Sequence, residues 1–252
     1  MGNNAKLQLD PVVEKMLRHA VENDGKAMQE RVQEMVDHPE RMPKFMDLKV
    51  DWAFKYVLGH KSVLMKFIND VLCKERDTGR RFLAEIQLLP TIDMDDRLMF
   101  YGSSLIHQQI ERGSERYDLD PVYVLCVANY FRNHTQDTPL DKFFFGYQLR
   151  EQIVHGDIFS DRLQFFILEL PRLQKVWDSL ETNLERWCHL FGNLSNFAST
   201  PSDQAGFEDV FNLTITVAMD KTKQNQYYSS MVTEYERYTI GEYARRKASK
   251  RA

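Results

Sequence analysis

Residues 121–131, PVYVLCVANYF, form a nearly continuous apolar run rich in β-branched and aromatic residues. Such a short run with no polar alternation is the pattern of a strand buried on both faces, as found where helices cover a sheet from either side. Two further runs, Lys142 to Leu149 (KFFFGYQL) and Leu163 to Leu170 (LQFFILEL), read as strands of the same sheet. The chain is therefore expected to be α/β, a mixed sheet with flanking helices, followed by a helical C-terminal region. Glu169 sits near the end of the last run and is expected to face solvent, outside any site.

The chemistry concentrates between Asp70 and Tyr101, DVLCKERDTGRRFLAEIQLLPTIDMDDRLMFY. Val71 to Lys74 and Phe82 to Gln87 are short apolar-rich runs, and Glu-Arg-Asp-Thr-Gly between them is turn chemistry. This predicts a hairpin with Asp70 at the start of its first strand. Glu85 and Gln87 are two apart, so a strand projects both from one face and Ile86 from the other. If Asp70 shares that face, two carboxylates converge. With a backbone carbonyl and water they suit a hard divalent cation such as Mg²⁺.

The pattern Asp–x14–Glu–x–Gln, together with MDLKVDWAFKYVLGHKSVLMKFIND upstream and its Asp51-x-x-Phe54-Lys55 signature, resembles the PD-(D/E)XK nuclease family transposases, also called recombination-promoting nucleases. The likeness continues through RLMFYGSSLIHQQIERGSERYDLDPVYVLCVANYF and DRLQFFILELPRL, and spans about residues 46–240. It implies a restriction-endonuclease-like mixed sheet and hydrolysis of DNA phosphodiesters with Mg²⁺, linked to recombination or mobile elements. It also implies roles for single residues: Asp70 and Glu85 as metal ligands, Gln87 in place of the commoner lysine, and Asp51 as a helix-borne acidic group beside them. Lys55, Arg97 and Tyr101 would contact substrate. One departure is visible. FIN runs straight into DVLCKERDTGRRF, so Asp70-Val71-Leu72 also fits the end of the preceding helix. A catalytically inactive member acting by DNA or protein binding is the alternative reading.

The remaining elements follow from periodicity. Residues 11–36 carry apolar side chains at roughly helical spacing, and His38 to Pro43 reads as a linker. This gives an N-terminal extension over 1–45, a nuclease-like core over 46–175 and a helical region over 176–252. Val50 to Asn69 suggests two short helices hinged near Gly59-His60, with Asp51 and Lys55 on one helix face. A helix from about Asp95 to Arg112 would start among Asp93, Asp95 and Asp96, which favour its positive end, and stop at Gly113. Leu180, Leu184, Trp187, Cys188 and Phe191 form an apolar helical stripe. Further helices are expected from Thr200-Pro201-Ser202-Asp203 and from about Gln224, ending in a basic run at Arg245-Arg246-Lys247.

Composition narrows the class rather than the function. The 252 residues are 43% hydrophobic, enough for one sizeable core, with no run near the roughly 20 apolar residues of a membrane span. Cys73, Cys126 and Cys188 are widely spaced within apolar runs and read as buried thiols. The expectation is a cytoplasmic protein whose partner is DNA, with a homo-oligomer left open. A net charge of −4 means that any DNA contact must come from a local patch.

Overall fold

The computed structural model describes residues 43–72, 94–110, 117–153 and 156–231, the backbone of 81–87, and the single positions 38, 113 and 233. The expected N-terminal helices, the Glu75–Gly79 turn and the C-terminal basic run lie outside the described residues. The element order is α1 (Asp51–Leu58), α2 (Lys61–Leu72), β1 (Arg81–Gln87), α3 (Met94–His107), β2 (Val122–Ala128), β3 (Phe144–Arg150), β4 (Ile158–Glu169), α4 (Asn183–Asn193) and α5 (Glu208–Thr214). A helix over 221–231 follows.

The sheet runs in the order β1-β2-β4-β3. β1, β2 and β4 are parallel, and β3 is an antiparallel edge strand on β4. All seven residues of β2 are buried, as its unbroken apolar run demands. α3 covers the face that carries Val122, Val124, Cys126 and Ala128, packing Met94 and Leu98 against them and against Leu163 and Ile167 of β4. The helix sits very close to the sheet at Gly102. A Cβ built there would lie 2.8 Å from Leu163 and 3.0 Å from Val124. α3 ends at His107, before the expected stop at Gly113. The chain then leaves through a turn at Gln109, whose side chain donates to the Asp120 carbonyl and accepts from the Asp120 amide.

The helical half of the compact unit Pro43–Ile215 is held by a cluster of aromatic side chains. Phe67 of α2 lies 5.0 Å from Trp187 and 5.3 Å from Phe191 of α4, measured between ring centroids. Trp187 lies 4.9 Å from Phe207, and Phe54 of α1 lies 5.4 Å from Phe191. Edge-to-face and tilted pairs of this kind add to the stabilisation from burial alone. The ends of the unit meet where Phe45 bridges Ile215 and the Met46 amide donates to the Thr214 carbonyl. α1 and α2 are hinged at Gly59 as expected, where a Cβ would lie 2.8 Å from the Lys55 carbonyl oxygen.

α4 begins with a reciprocal cap. The Thr182 hydroxyl accepts from the Glu185 amide, and the Glu185 carboxylate accepts from the amides of Thr182 and Glu181. Lys175 donates to the same carboxylate at 2.5 Å. Burial alone would raise the Glu185 pKa, but Lys175 and the two amides outweigh it and hold the group at about 2. At the other end of α4, Lys49 donates to the Gly192 carbonyl at 2.7 Å. The expected helix at Thr200 is absent from the observed path, which stays irregular until α5 starts at Glu208. Cys126 and Cys188 are buried thiols, and burial pushes the Cys188 thiol up.

The second unit is described from Thr216. Gln224 in its helix donates to the carbonyls of Thr216 and Met219, and the Asp220 carboxylate accepts from the Lys223 amide at 2.9 Å. Tyr227 and Tyr228 are buried there.

Two measurements check this account. Gly102→Val should cost about 1–3 kcal/mol in urea unfolding, because the helix backbone cannot retreat from a packed sheet. The Glu185 cap should show the pH dependence of a depressed carboxylate. Its stabilising contribution is full above the ordinary value of 4.5 and is lost as pH falls towards about 2. The melting-temperature gap between wild type and Glu185→Gln should therefore be constant from pH 7 to 5 and close as pH falls further.

Candidate functional site

Because β1, β2 and β4 are parallel, their carboxyl ends lie at one end of the sheet, where open α/β sheets place their ligands. The register there is explicit. Gln87 pairs with Ala128 and Ala128 with Glu169, and one level below Glu85 pairs with Cys126 and Cys126 with Ile167. The Glu-x-Gln strand thus ends level with Glu169.

Glu169 corrects the expectation of a solvent-facing acid. Its exposure is 0%. One carboxylate oxygen accepts from His134 Nε2 at 2.5 Å; the other accepts from Arg172 Nε at 2.6 Å and from the Arg132 amide at 3.2 Å. A desolvated carboxylate needs such partners. The His134 ring stacks on Phe145 at 4.0 Å, and the Arg172 guanidinium lies over Phe131 and Phe145. The group ties the loop after β2 to β3 and β4. Its partners lie 35 and 37 residues upstream, so only Arg172, three residues downstream, carries a local signal.

The clamped loop presents Arg132 across the sheet end. Its Nη2 donates to Asp95 at the start of α3 at 2.5 Å, and its Nη1 lies 3.4 Å from the Tyr147 hydroxyl of β3. Asp95, Leu98, Met99, Arg132, Tyr147, Phe165 and Ile167 line a pocket of about 190 Å³. Burial pushes Tyr130 up to about 12 and raises Tyr147 as well, so both phenols stay protonated at neutral pH. Asp95 was legible only as a helix-start residue, and Arg132 carried no sequence signal.

A family model described as PD-(D/E)XK nuclease family transposase matches residues 70–244, well over half of the chain. The chain belongs to that family. No curated protein and no solved structure matches it. The mixed α/β sheet with flanking helices agrees with the PD-(D/E)XK fold.

Within this PD-(D/E)XK chain, Asp70 is where the reading of the hairpin changes. Asp70, Val71 and Leu72 form the last turn of α2, so the alternative fit to the end of the preceding helix is the one observed. Asp70 Oδ1 accepts from Asn183 at 2.9 Å, and Oδ2 accepts from Trp187 Nε1 at 2.8 Å and Lys66 at 3.0 Å. Val63, Phe67, Ile68 and Val71 are the buried stripe that keeps this segment helical. The Asp70 carboxylate is thus engaged by an ammonium, an indole and an amide, all three from helices α2 and α4. Among the described residues no cluster of three or more His, Cys, Asp or Glu could hold a metal ion.

The other expected residues fall in pairs. Asp51 and Lys55 form an i,i+4 ion pair at 2.7 Å on an exposed face of α1. Arg97 lies over the Tyr101 ring of α3 at 5.9 Å. Neither pair is joined to Asp70 by a described contact. No helix among the described residues is long and apolar enough to cross a membrane.

Removing the Asp70 carboxylate leaves Lys66, Asn183 and Trp187 short of an acceptor between α2 and α4. Asp70→Ala should lower stability by about 2–3 kcal/mol in chemical denaturation. A variant as stable as wild type would show that the carboxylate is not structural.

Proposed function

We propose that this chain acts on DNA as an endonuclease of its family, with β1 as the catalytic strand. The supporting observation is the Glu-x-Gln strand, which lies inside the matched region and ends level with the clamped Glu169 at the carboxyl ends of the parallel strands. Glu85 is the acidic group at the reacting phosphate. Gln87 is neutral and orients water or phosphate through its amide, which both donates and accepts. Arg97 and Tyr101 on α3 are proposed contacts for the DNA backbone, which a planar guanidinium suits. Magnesium is the proposed cofactor on the family's chemistry, with Asp70 left out of its ligands.

One observation favours a second reading, a catalytically inactive member acting by DNA binding. It is the engagement of Asp70 by three donors between α2 and α4. The two readings separate in plasmid cleavage with Mg²⁺, with EDTA and Glu85→Ala as controls. The endonuclease reading expects nicking that EDTA abolishes and that Glu85→Ala lowers by about 10²-fold or more. Binding without nicking selects the second reading. In a cleaving wild type, Gln87→Lys should retain measurable activity and Gln87→Leu should lose it, since leucine can neither donate nor accept.

A further inference from the structure

The pocket at the sheet end has a build that phosphate contacts alone do not need. Its floor is apolar, made by Leu98 and Ile167, which are 2% and 3% exposed, with Phe165 beside them. Its rim is polar on one side, with Arg132, Asp95 and the Tyr147 hydroxyl, while Met99 stands exposed on the same helix as Leu98. At about 190 Å³ it is smaller than the roughly 300–1,000 Å³ of pockets for drug-sized ligands, and of a size for one ring system. The rim combines donors and acceptors. The guanidinium has five N–H groups, and Asp95 and Tyr147 engage one each in the described contacts. The Asp95 side chain is 73% exposed, so its carboxylate reaches solvent as an acceptor. A flat heterocycle whose edge carries both donors and acceptors matches this lining, and among DNA components that is the base.

Position supports the match. Ile167 lines the pocket and is level with Cys126 and Glu85 in the register. Neighbouring strands lie about 4.8 Å apart, which puts the backbone of Ile167 about 10 Å from that of Glu85. A strand rising about 3.4 Å per base covers that distance in about three steps.

We propose that the pocket formed by Leu98, Met99, Phe165 and Ile167 under Arg132, Asp95 and Tyr147 takes one unpaired nucleobase of the DNA strand held at β1. This rests on the reading of the chain as a DNA-acting protein and adds a substrate class to it: DNA with an unstacked or unpaired base near the reacting phosphate. A paired base must first be drawn out of the stack, so a mismatched, bulged or single-stranded base enters at least cost. Stacking on Phe165 and Met99 favours any base, and the Arg132–Asp95 edge selects among them.

The test is binding of the full chain, in EDTA, to two labelled duplexes alike except at one bulged position, which carries a base in one and an abasic sugar in the other. The wild type should bind the base-bearing duplex about ten-fold more tightly. Met99→Glu, a change at an exposed wall residue, should remove that ratio while leaving the melting temperature unchanged; its added charge weakens binding to both duplexes alike, so the ratio is the readout. Equal wild-type affinities for the two duplexes, or a ratio that survives Met99→Glu, would overturn the pocket assignment. Cleavage in Mg²⁺ run in parallel keeps the two ideas apart. Cleavage without base preference removes the pocket alone, base-dependent binding without cleavage removes the endonuclease reading alone, and the absence of both binding and cleavage removes both.

Discussion

The constraint on which the rest depends is the complete burial of β2. A strand with no exposed residue must be covered on both faces and paired along both edges. Its partners are β1 and β4, both parallel to it. Parallel pairing on both sides aligns three carboxyl ends, and that alignment gathers Gln87, Ala128 and Glu169 into one row. The end of the sheet is therefore a consequence of how an apolar run is buried, and the polar chemistry collects where that run stops. α3 completes the arrangement. Its approach at Gly102 brings Asp95, at its first turn, over the same end.

Asp70 shows how context reassigns a residue that a motif points to. The matched region begins at this residue, yet its carboxylate lies between α2 and α4 and satisfies Lys66, Asn183 and Trp187. Taking a carboxylate out of water is costly unless charge and hydrogen bonds replace the solvent, and here both do. Trp187 and Phe67 meet edge to face, and the Trp187 indole donates to this carboxylate, so the same contact fixes the aromatic centre of the helical half. The fold uses this carboxylate to join two helices.

How far the sequence was legible follows the range of the interactions concerned. The strands at 122–128, 144–150 and 158–169 follow from local apolar runs, and α4 from its apolar stripe. The first arm of the expected hairpin failed because two adjacent apolar residues, Val71 and Leu72, fit either period. The deciding signal was upstream, in the spacing of Val63, Phe67 and Ile68. The site was less legible than the fold. Arg132 and His134 meet Glu169 across 37 and 35 residues, and no window of sequence contains that contact. The start of α5 was misplaced for a different reason: Pro201 and Ser202 carry helix-start chemistry, but the apolar residues that anchor a helix begin only at Phe207.

Arg132 is held by two carboxylates of different character. Glu169 binds its backbone amide from a site with 0% exposure, where salt screens weakly. Asp95 binds its guanidinium from a side chain 73% exposed, where screening is strong and an ion pair contributes little. The loop and the guanidinium are therefore controlled separately. The Glu169 clamp fixes the loop from a buried site, while the guanidinium and Asp95 stand together at the rim with donors and an acceptor open to solvent. This arrangement lies at the end of the sheet where the Glu-x-Gln strand terminates.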